Sequence, residues 1–150
     1  QYLRRRFKNQ TLEVLDEGAR GGGLAKELQE KANKEFGPNA ARVIAADIRN
    51  FTASGVQNVA AEELVKRFGK DRFHLIISTH GGGSYTQFEK IKVLSNIVAA
   101  LKPGGMATIA MRLQIAERPV LEKLQKLWPN ISIKYKGYEN DRVLLKIQKN

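Results

Sequence analysis

The run Phe73-His74-Leu75-Ile76-Ile77-Ser78 is almost unbroken in apolar character, and no other stretch constrains the fold as much. A strand with one wet face alternates apolar and polar residues. A continuous run belongs to a strand covered on both faces, as in a parallel sheet held between helices. The remaining segments supply those layers. Thr11 to Asp16 reads as a strand stopped by Gly18, and Arg42 to Ala46 as a second ending at Asp47. Between them Leu24, Leu28, Ala32 and Phe36 recur at helical spacing, and Gly37-Pro38 ends that helix.

The segment from Arg49 to Gly55 is polar and too short for a full crossover helix. Val56 to Ala60 predicts a weak strand and Glu62 to Phe68 a short helix. Phe88, Ile91, Leu94, Val98 and Leu101 form one stripe of a further helix. Lys102-Pro103-Gly104-Gly105 then predicts a turn into a strand from Met106 to Met111. Pro119 opens a helix carrying Val120, Leu121, Leu124 and Leu127, which Trp128-Pro129-Asn130 closes. Ile131 to Tyr135 and Val143 to Ile147 finish the chain as a hairpin across Gly137 to Asp141. The order predicts a mostly parallel sheet with helices on both faces and an antiparallel C-terminal hairpin. At 150 residues this is one domain, 11–150, behind a basic lead-in, 1–10.

Composition removes whole classes of chemistry. The absence of cysteine excludes disulfides, thiolate zinc sites and thiol nucleophiles within the chain. Two histidines leave little for a catalytic metal, so none is expected, although carboxylates can hold magnesium. No apolar run approaches the roughly 20 residues that span a bilayer, and a cytoplasmic setting is the default expectation. The formal charge of +11 attracts polyanions. RNA is therefore an expected partner, contacted by Arg4, Arg5 and Arg6, and a protein partner subunit is a further one. Lys134, Lys136, Lys146 and Lys149 read either as a phosphate track or as the solvated alternation of an edge strand. Trp128 is expected to plug the core under the last strands.

In such sheets ligands settle beyond the carboxyl ends of the strands, where strand order reverses. Asp16-Glu17-Gly18-Ala19-Arg20-Gly21-Gly22-Gly23 lies there. Its glycines admit a sharp turn and close ligand approach, and the following helix aims its first amides at the same space. Asp47, at the end of the second strand, is placed to accept hydrogen bonds from both hydroxyls of a ribose.

Leu15-Asp16-Glu17-Gly18-Ala19-Arg20-Gly21-Gly22 resembles the first motif of class I S-adenosylmethionine methyltransferases, and Ala45-Ala46-Asp47-Ile48 their second. Ala61-Glu62-Glu63-Leu64 is similar to their segment beside adenine. Phe73 to Ser78 resembles their fourth strand, and Leu101 to Gly105 the turn before their fifth. The series runs in order over residues 12 to 148. The resemblance implies an α/β Rossmann-like fold, S-adenosylmethionine as cofactor, and methyl transfer to RNA or to another polyanionic or protein acceptor. By it, Gly18, Ala19 and Gly22 wrap the methionine portion and Asp16 orients its amino group. Asp47 holds the ribose and Ile48 packs on adenine, with Ala61 and Glu62 beside the adenine amino group and Ser78 at the fourth strand's end. His80 is the candidate base or acceptor-orienting residue, supported by Ser78, Thr79 or Tyr85.

Arg20 stands where that pattern has its middle glycine, so its side chain must point out of the cleft. Ala60 stands where an adenine-contacting aspartate is common, and His74 where the fourth strand often has an aspartate. The short second crossover also resembles rRNA ribose 2′-O-methyltransferases. Thr79 and Ala110 stand near two positions of their lysine–aspartate–lysine set, so that activity is not implied. Two other readings compete: a catalytically degenerate binding module for RNA or a protein, and a nicotinamide-dependent oxidoreductase. The last lacks a Gly-x-Gly-x-x-Gly spacing with a helix-packing glycine.

Overall fold

A computed structural model describes residues 1–79, 81, 90–112, 118–139 and 141–150, with the side chains of 138 and 139 left aside. One seven-stranded sheet organises the chain: β1 (Leu12–Glu17), β2 (Ala41–Asp47), β3 (Gln57–Asn58), β4 (Phe73–Ser78), β5 (Leu101–Arg112), β6 (Ile131–Glu139) and β7 (Arg142–Lys149). The strand order is β3-β2-β1-β4-β5-β7-β6. β1 to β5 pair in parallel, and β7 runs antiparallel to both β5 and β6. The C-terminal hairpin thus forms as expected, with its second strand inserted between β5 and β6.

Helices α1 (Tyr2–Arg6), α2 (Gly23–Phe36), α3 (Leu64–Phe68), α4 (Lys90–Ala100) and α5 (Arg118–Leu127) cover the sheet. The larger core joins Leu15, Ile76, Ile109, Leu145 and Ile147 to Leu64 of α3, Val93, Leu94 and Ile97 of α4, and Leu121 and Leu124 of α5. A smaller cluster on the opposite face places Leu3 of α1 against Leu12 and Val14. Trp128 packs, partly buried, against the larger core. No helix among the described residues is long and apolar enough to cross a membrane.

Several boundaries differ from the sequence reading, each for a physical reason. Lys102 to Gly105 is no separate turn, because β5 already begins at Leu101. Phe73 pairs with Leu101 and Leu75 with Met106, so the extra residues form a bulge that Gly104, at φ 81°, lets the strand absorb. The strand expected over Val56 to Ala60 shrinks to Gln57–Asn58, since β2 offers it only Ala46 and Asp47 as partners. The segment for Glu62 to Phe68 starts as a 3-10 turn, Ala61–Glu63, before α3. The α2 stripe is only partly covered: Leu24 and Phe36 remain exposed, and Ala25 is the buried residue of that helix.

Lys149 leaves the lysine track altogether. It is buried, with Nζ 2.7 Å from Asp71 Oδ1 and donating to the Val98 and Leu101 carbonyls at the end of α4. A cation suits a helix C-terminus, where unpaired carbonyls carry partial negative charge. Arg4 is similarly committed, donating to the Gln10 and Ala40 carbonyls with its guanidinium over the Phe36 ring.

The missing second crossover helix has a local consequence. Beyond its two-residue pairing with β3, β2 is an edge, and the Gln29 amide of α2 covers part of it. Gln29 accepts from the Val43 amide at 2.9 Å and donates to the Ala41 carbonyl at 2.9 Å. Gln29→Ala is expected to lower unfolding free energy by about 1–2 kcal/mol, two neutral hydrogen bonds' worth. Chemical denaturation checks this, and an unchanged midpoint would show that solvent replaces the amide at no cost.

Candidate functional site

The site lies at the carboxyl rim, where β1 neighbours both β2 and β4 and successive crossovers leave in opposite directions. The loop from β1 to α2 is held there by the end of β2. The amides of Gly18 and Ala19 both donate to the Ala46 carbonyl, at 2.8 and 3.0 Å. Gly22 caps α2 with φ 80°, a left-handed conformation, and a Cβ there would stand 3.2 Å from Val56 Cγ2. Glycine is required at this position by both conformation and space.

Arg20 also adopts a left-handed backbone, φ 51°. Its amide donates to Asp47 Oδ2 at 2.8 Å while its side chain is exposed. The residue at this position therefore keeps a glycine's conformation with its side chain exposed.

Asp47 is 2% exposed and both its oxygens are engaged. Besides Arg20, the Arg49 amide donates to Oδ1 at 2.9 Å, and the Arg49 guanidinium lies at 3.2 Å from Oδ1 and 3.4 Å from Oδ2. Burial alone would raise the Asp47 pKa; the Arg49 side chain and amide, the Arg20 amide and the guanidinium charge hold it below the ordinary value. The Arg49 side chain is 58% exposed, so its ion pair is of the solvated kind, worth about 0–1 kcal/mol. A ligand diol offering two hydrogen bonds can replace it.

Asp16 presents the opposite situation. It is 1% exposed, and its Oδ2 is a buried oxygen with no hydrogen-bond partner. Burial pushes its pKa up to about 6, opposed by the Ala25 amide at the start of α2 and reinforced by the negative charge of Asp47. An unpartnered buried carboxylate costs free energy and calls for a donor, and a cationic one best of all.

The other expected residues differ in exposure. Ile48 is 69% exposed beside Asp47. Ala61 is buried at the start of the 3-10 turn and Glu62 is half-buried next to it. Ser78 is fully buried, and its hydroxyl donates to Glu17 Oε2 at 2.5 Å. His80 and Tyr85 lie outside the described residues.

Glu17 is the site residue that sequence reasoning passed over. It is 3% exposed at the end of β1. Gly81 presses on its carboxylate so closely that a Cβ there would collide with it. A glutamate beside the glycine loop gives no signal of burial in a sequence; only the Ser78 hydroxyl and Gly81, from β4 and its following loop, disclose it. His74, by contrast, is structural. It accepts the Glu13 amide on Nδ1 at 2.8 Å and meets the Phe7 ring edge-on. Burial, with the charges of Lys102 and Arg72, lowers its pKa to about 4 against the Glu13 hydrogen bond, so the ring is neutral.

Compared by sequence, the chain matches no protein-family model and no curated protein. Compared with solved structures, it superposes on methyltransferases. The carbon methyltransferase CurJ aligns over 97% of this chain at 15% identity and TM-score 0.67. The chain spans 50% of that structure's length. The plantazolicin methyltransferase BamL, solved with SAH, aligns over 99% of this chain and 81% of its own, at 11% identity and TM-score 0.71. A TehB-like SAM-dependent methyltransferase from Corynebacterium glutamicum aligns over 99% and 85%, at 16% identity and TM-score 0.66. The architecture is the class I methyltransferase fold: a Rossmann-like, mostly parallel sheet with its seventh strand reversed.

Two predictions follow from the strained and buried groups. Arg20→Gly removes a left-handed side chain that costs about 1 kcal/mol, so Tm should rise by about 3 °C; a fall in a thermal melt would mean the Arg20 side chain is needed. Asp16 and His74 should oppose each other in acid. The raised Asp16 pKa favours the folded state at low pH, a benefit lost as pH rises through about 6. The lowered His74 pKa costs stability as pH falls from 6.5 toward 4. Each is worth at most about 3 kcal/mol. Asp16→Asn should therefore make stability rise with pH across 4–6.5 relative to wild type, and His74→Gln should make it fall. Urea denaturation at several pH values reads both slopes, and identical slopes in the two variants would refute the assignment.

Proposed function

We propose that this chain is an S-adenosylmethionine-dependent methyltransferase that acts on an acceptor presented beside the loop after β4, with RNA as the acceptor class. The observation that carries the reading is the buried, unpartnered Asp16 oxygen, one strand away from Asp47, on a glycine-lined rim. An α-ammonium group satisfies Asp16, a ribose diol satisfies Asp47 once Arg49 swings to solvent, and an adenine covers Ile48. The residues present therefore fit the cofactor that this fold implies. When bound, that cofactor supplies an electrophilic methyl group on a sulfonium whose leaving group is a neutral thioether.

The protein's part is positioning and exclusion of water more than acid–base chemistry. Gly18, Ala19 and Gly22 shape the loop around the methionine portion. Asp16 fixes the amino end and Asp47 the sugar, which sets the direction of the methyl group. Ala61 and Glu62 border adenine. Ser78, tied to Glu17, holds the end of β4 against β1 and so fixes where the acceptor loop starts. His80 receives a proton or orients the acceptor where the acceptor must lose one.

RNA as acceptor is supported by the formal charge of +11 and by a fold neighbour, a Clostridium thermocellum protein named provisionally as an rRNA-methylase, which the chain covers to 93%. A second reading, a binding module without catalysis, is favoured by the Arg49 guanidinium lying on Asp47.

Isothermal titration with S-adenosylhomocysteine separates the two. The methyltransferase reading expects micromolar binding by wild type and at least tenfold weaker binding by Asp47→Ala and by Asp16→Asn. Binding should also weaken below pH 6, where Asp16 takes up a proton and no longer pairs with an ammonium group. No heat at millimolar ligand with folded protein would favour the binding module.

A further inference from the structure

Among the described residues, no helix on the face of the sheet that carries α1 and α2 packs over β7 and β6. On β5, β7 and β6 the even-numbered residues point to this face, since Ile109, Leu145, Ile147 and Ile131 fill the core on the other. The register sets them in rows. Thr108 lies opposite Lys146 and Lys146 opposite Lys134; Ala110 lies opposite Leu144 and Leu144 opposite Lys136; Arg112 lies opposite Arg142 and Arg142 opposite Glu139. Lys134, Lys136 and Lys146 are exposed. They make no ion pair with any described residue, and the Lys134–Lys146 row sets like charges directly across an antiparallel pair.

Like charges placed directly opposite destabilise a sheet. Lys134 and Lys146 therefore work against the fold, and a polyanion laid over them relieves the repulsion. The track also has a direction. β6 and β5 run parallel, so Lys134 and Lys136 lead toward Arg112 and Arg142 at the carboxyl rim, where the candidate site lies. The basic lead-in is less well placed: Arg4 is held by Gln10 and Ala40, and Arg6 bonds Tyr2 beside the start of β5, near Gly104. That is the amino end of the sheet.

We propose that this face, through Lys134, Lys136 and Lys146, binds the phosphate backbone of RNA and guides the strand to the rim. The proposal rests on the reading of RNA as acceptor. Lysines on a flat strand face act as point charges and suit a regularly charged polymer read without sequence. A lipid surface suits the face less. Among the described residues, the large exposed apolar side chains Leu24, Phe36, Ile48, Leu127 and Tyr135 lie elsewhere, and Tyr2 stands at the margin, where its hydroxyl receives the Gln148 amide.

Fluorescence anisotropy with a labelled 20-nucleotide RNA, titrated at 50 to 300 mM KCl, tests it. The Lys134→Gln/Lys136→Gln/Lys146→Gln variant should bind at least tenfold more weakly at 50 mM salt. Its slope of log K against log salt should be shallower by about 2, three contacts at about 0.7 each. Arg5→Gln/Arg6→Gln should change affinity less than threefold. Lys134→Glu should raise Tm, by relieving the opposed pair, while weakening RNA binding. A simple folding defect cannot produce that combination. Titration of the triple variant with S-adenosylhomocysteine should match wild type, which separates failure here from failure of the cofactor reading. Triple-variant affinity within threefold of wild type overturns the proposal. So does equal displacement of the RNA by polyglutamate or by phosphatidylserine vesicles at matched charge.

Discussion

The Asp47 carboxylate ties the rim together. Its oxygens receive the Arg20 amide from the β1–α2 loop and the Arg49 amide from the segment after β2. One buried charge thereby fixes two loops from different strands. The glycine turn, the start of α2 and the shelf at Ile48 take their positions from it. Without that anchor the Gly18 and Ala19 amides would still reach the Ala46 carbonyl, but Arg20 would have nothing to hold its left-handed backbone. A strained residue persists only where its surroundings over-determine it. Here the surroundings are a carboxylate.

The two acids of the rim divide the work by environment. Asp47 has donors on both oxygens and stays ionised; Asp16 has an oxygen without a donor, and burial raises its pKa to about 6. An unsatisfied buried oxygen costs stability. Glu17 on the same strand shows the contrast. It is equally buried, yet it is satisfied by the Ser78 hydroxyl and closes the seam between β1 and β4. Adjacent carboxylates thus differ in their surroundings, one with an unpartnered oxygen and one bracing the sheet.

Much of this was legible in the sequence because it rests on periodicity and punctuation. The continuous run at Phe73 to Ser78 marked a doubly covered strand, the alternation of elements marked the parallel sheet, and Gly18, Gly22 and Asp47 marked the rim. What escaped depended on partners distant in sequence. Lys149 looked like its surface neighbours until the end of α4 arrived beside it. Glu17 looked like part of a loop motif until Gly81 closed over it. Lys102 to Gly105 carried every sign of a turn, but a bulge uses the same residues, and only the pairing partner on β4 decides between them. The like-charged pairing of Lys134 with Lys146 exists only through register, which no local pattern reports.

β3 is a strand of two residues. With two residues of pairing and no crossover helix behind it, the segment from Arg49 to Asn58 has little burial to keep it closed. Amide hydrogens there should exchange through small local openings long before those of β1, β4 and β5, which open only with the whole molecule. The Ile48 side of the rim is thus the pliant wall and the Asp16 side the rigid one. A nucleoside entering such a site would meet a fixed post and a hinged panel, with the ordering of the panel included in its affinity.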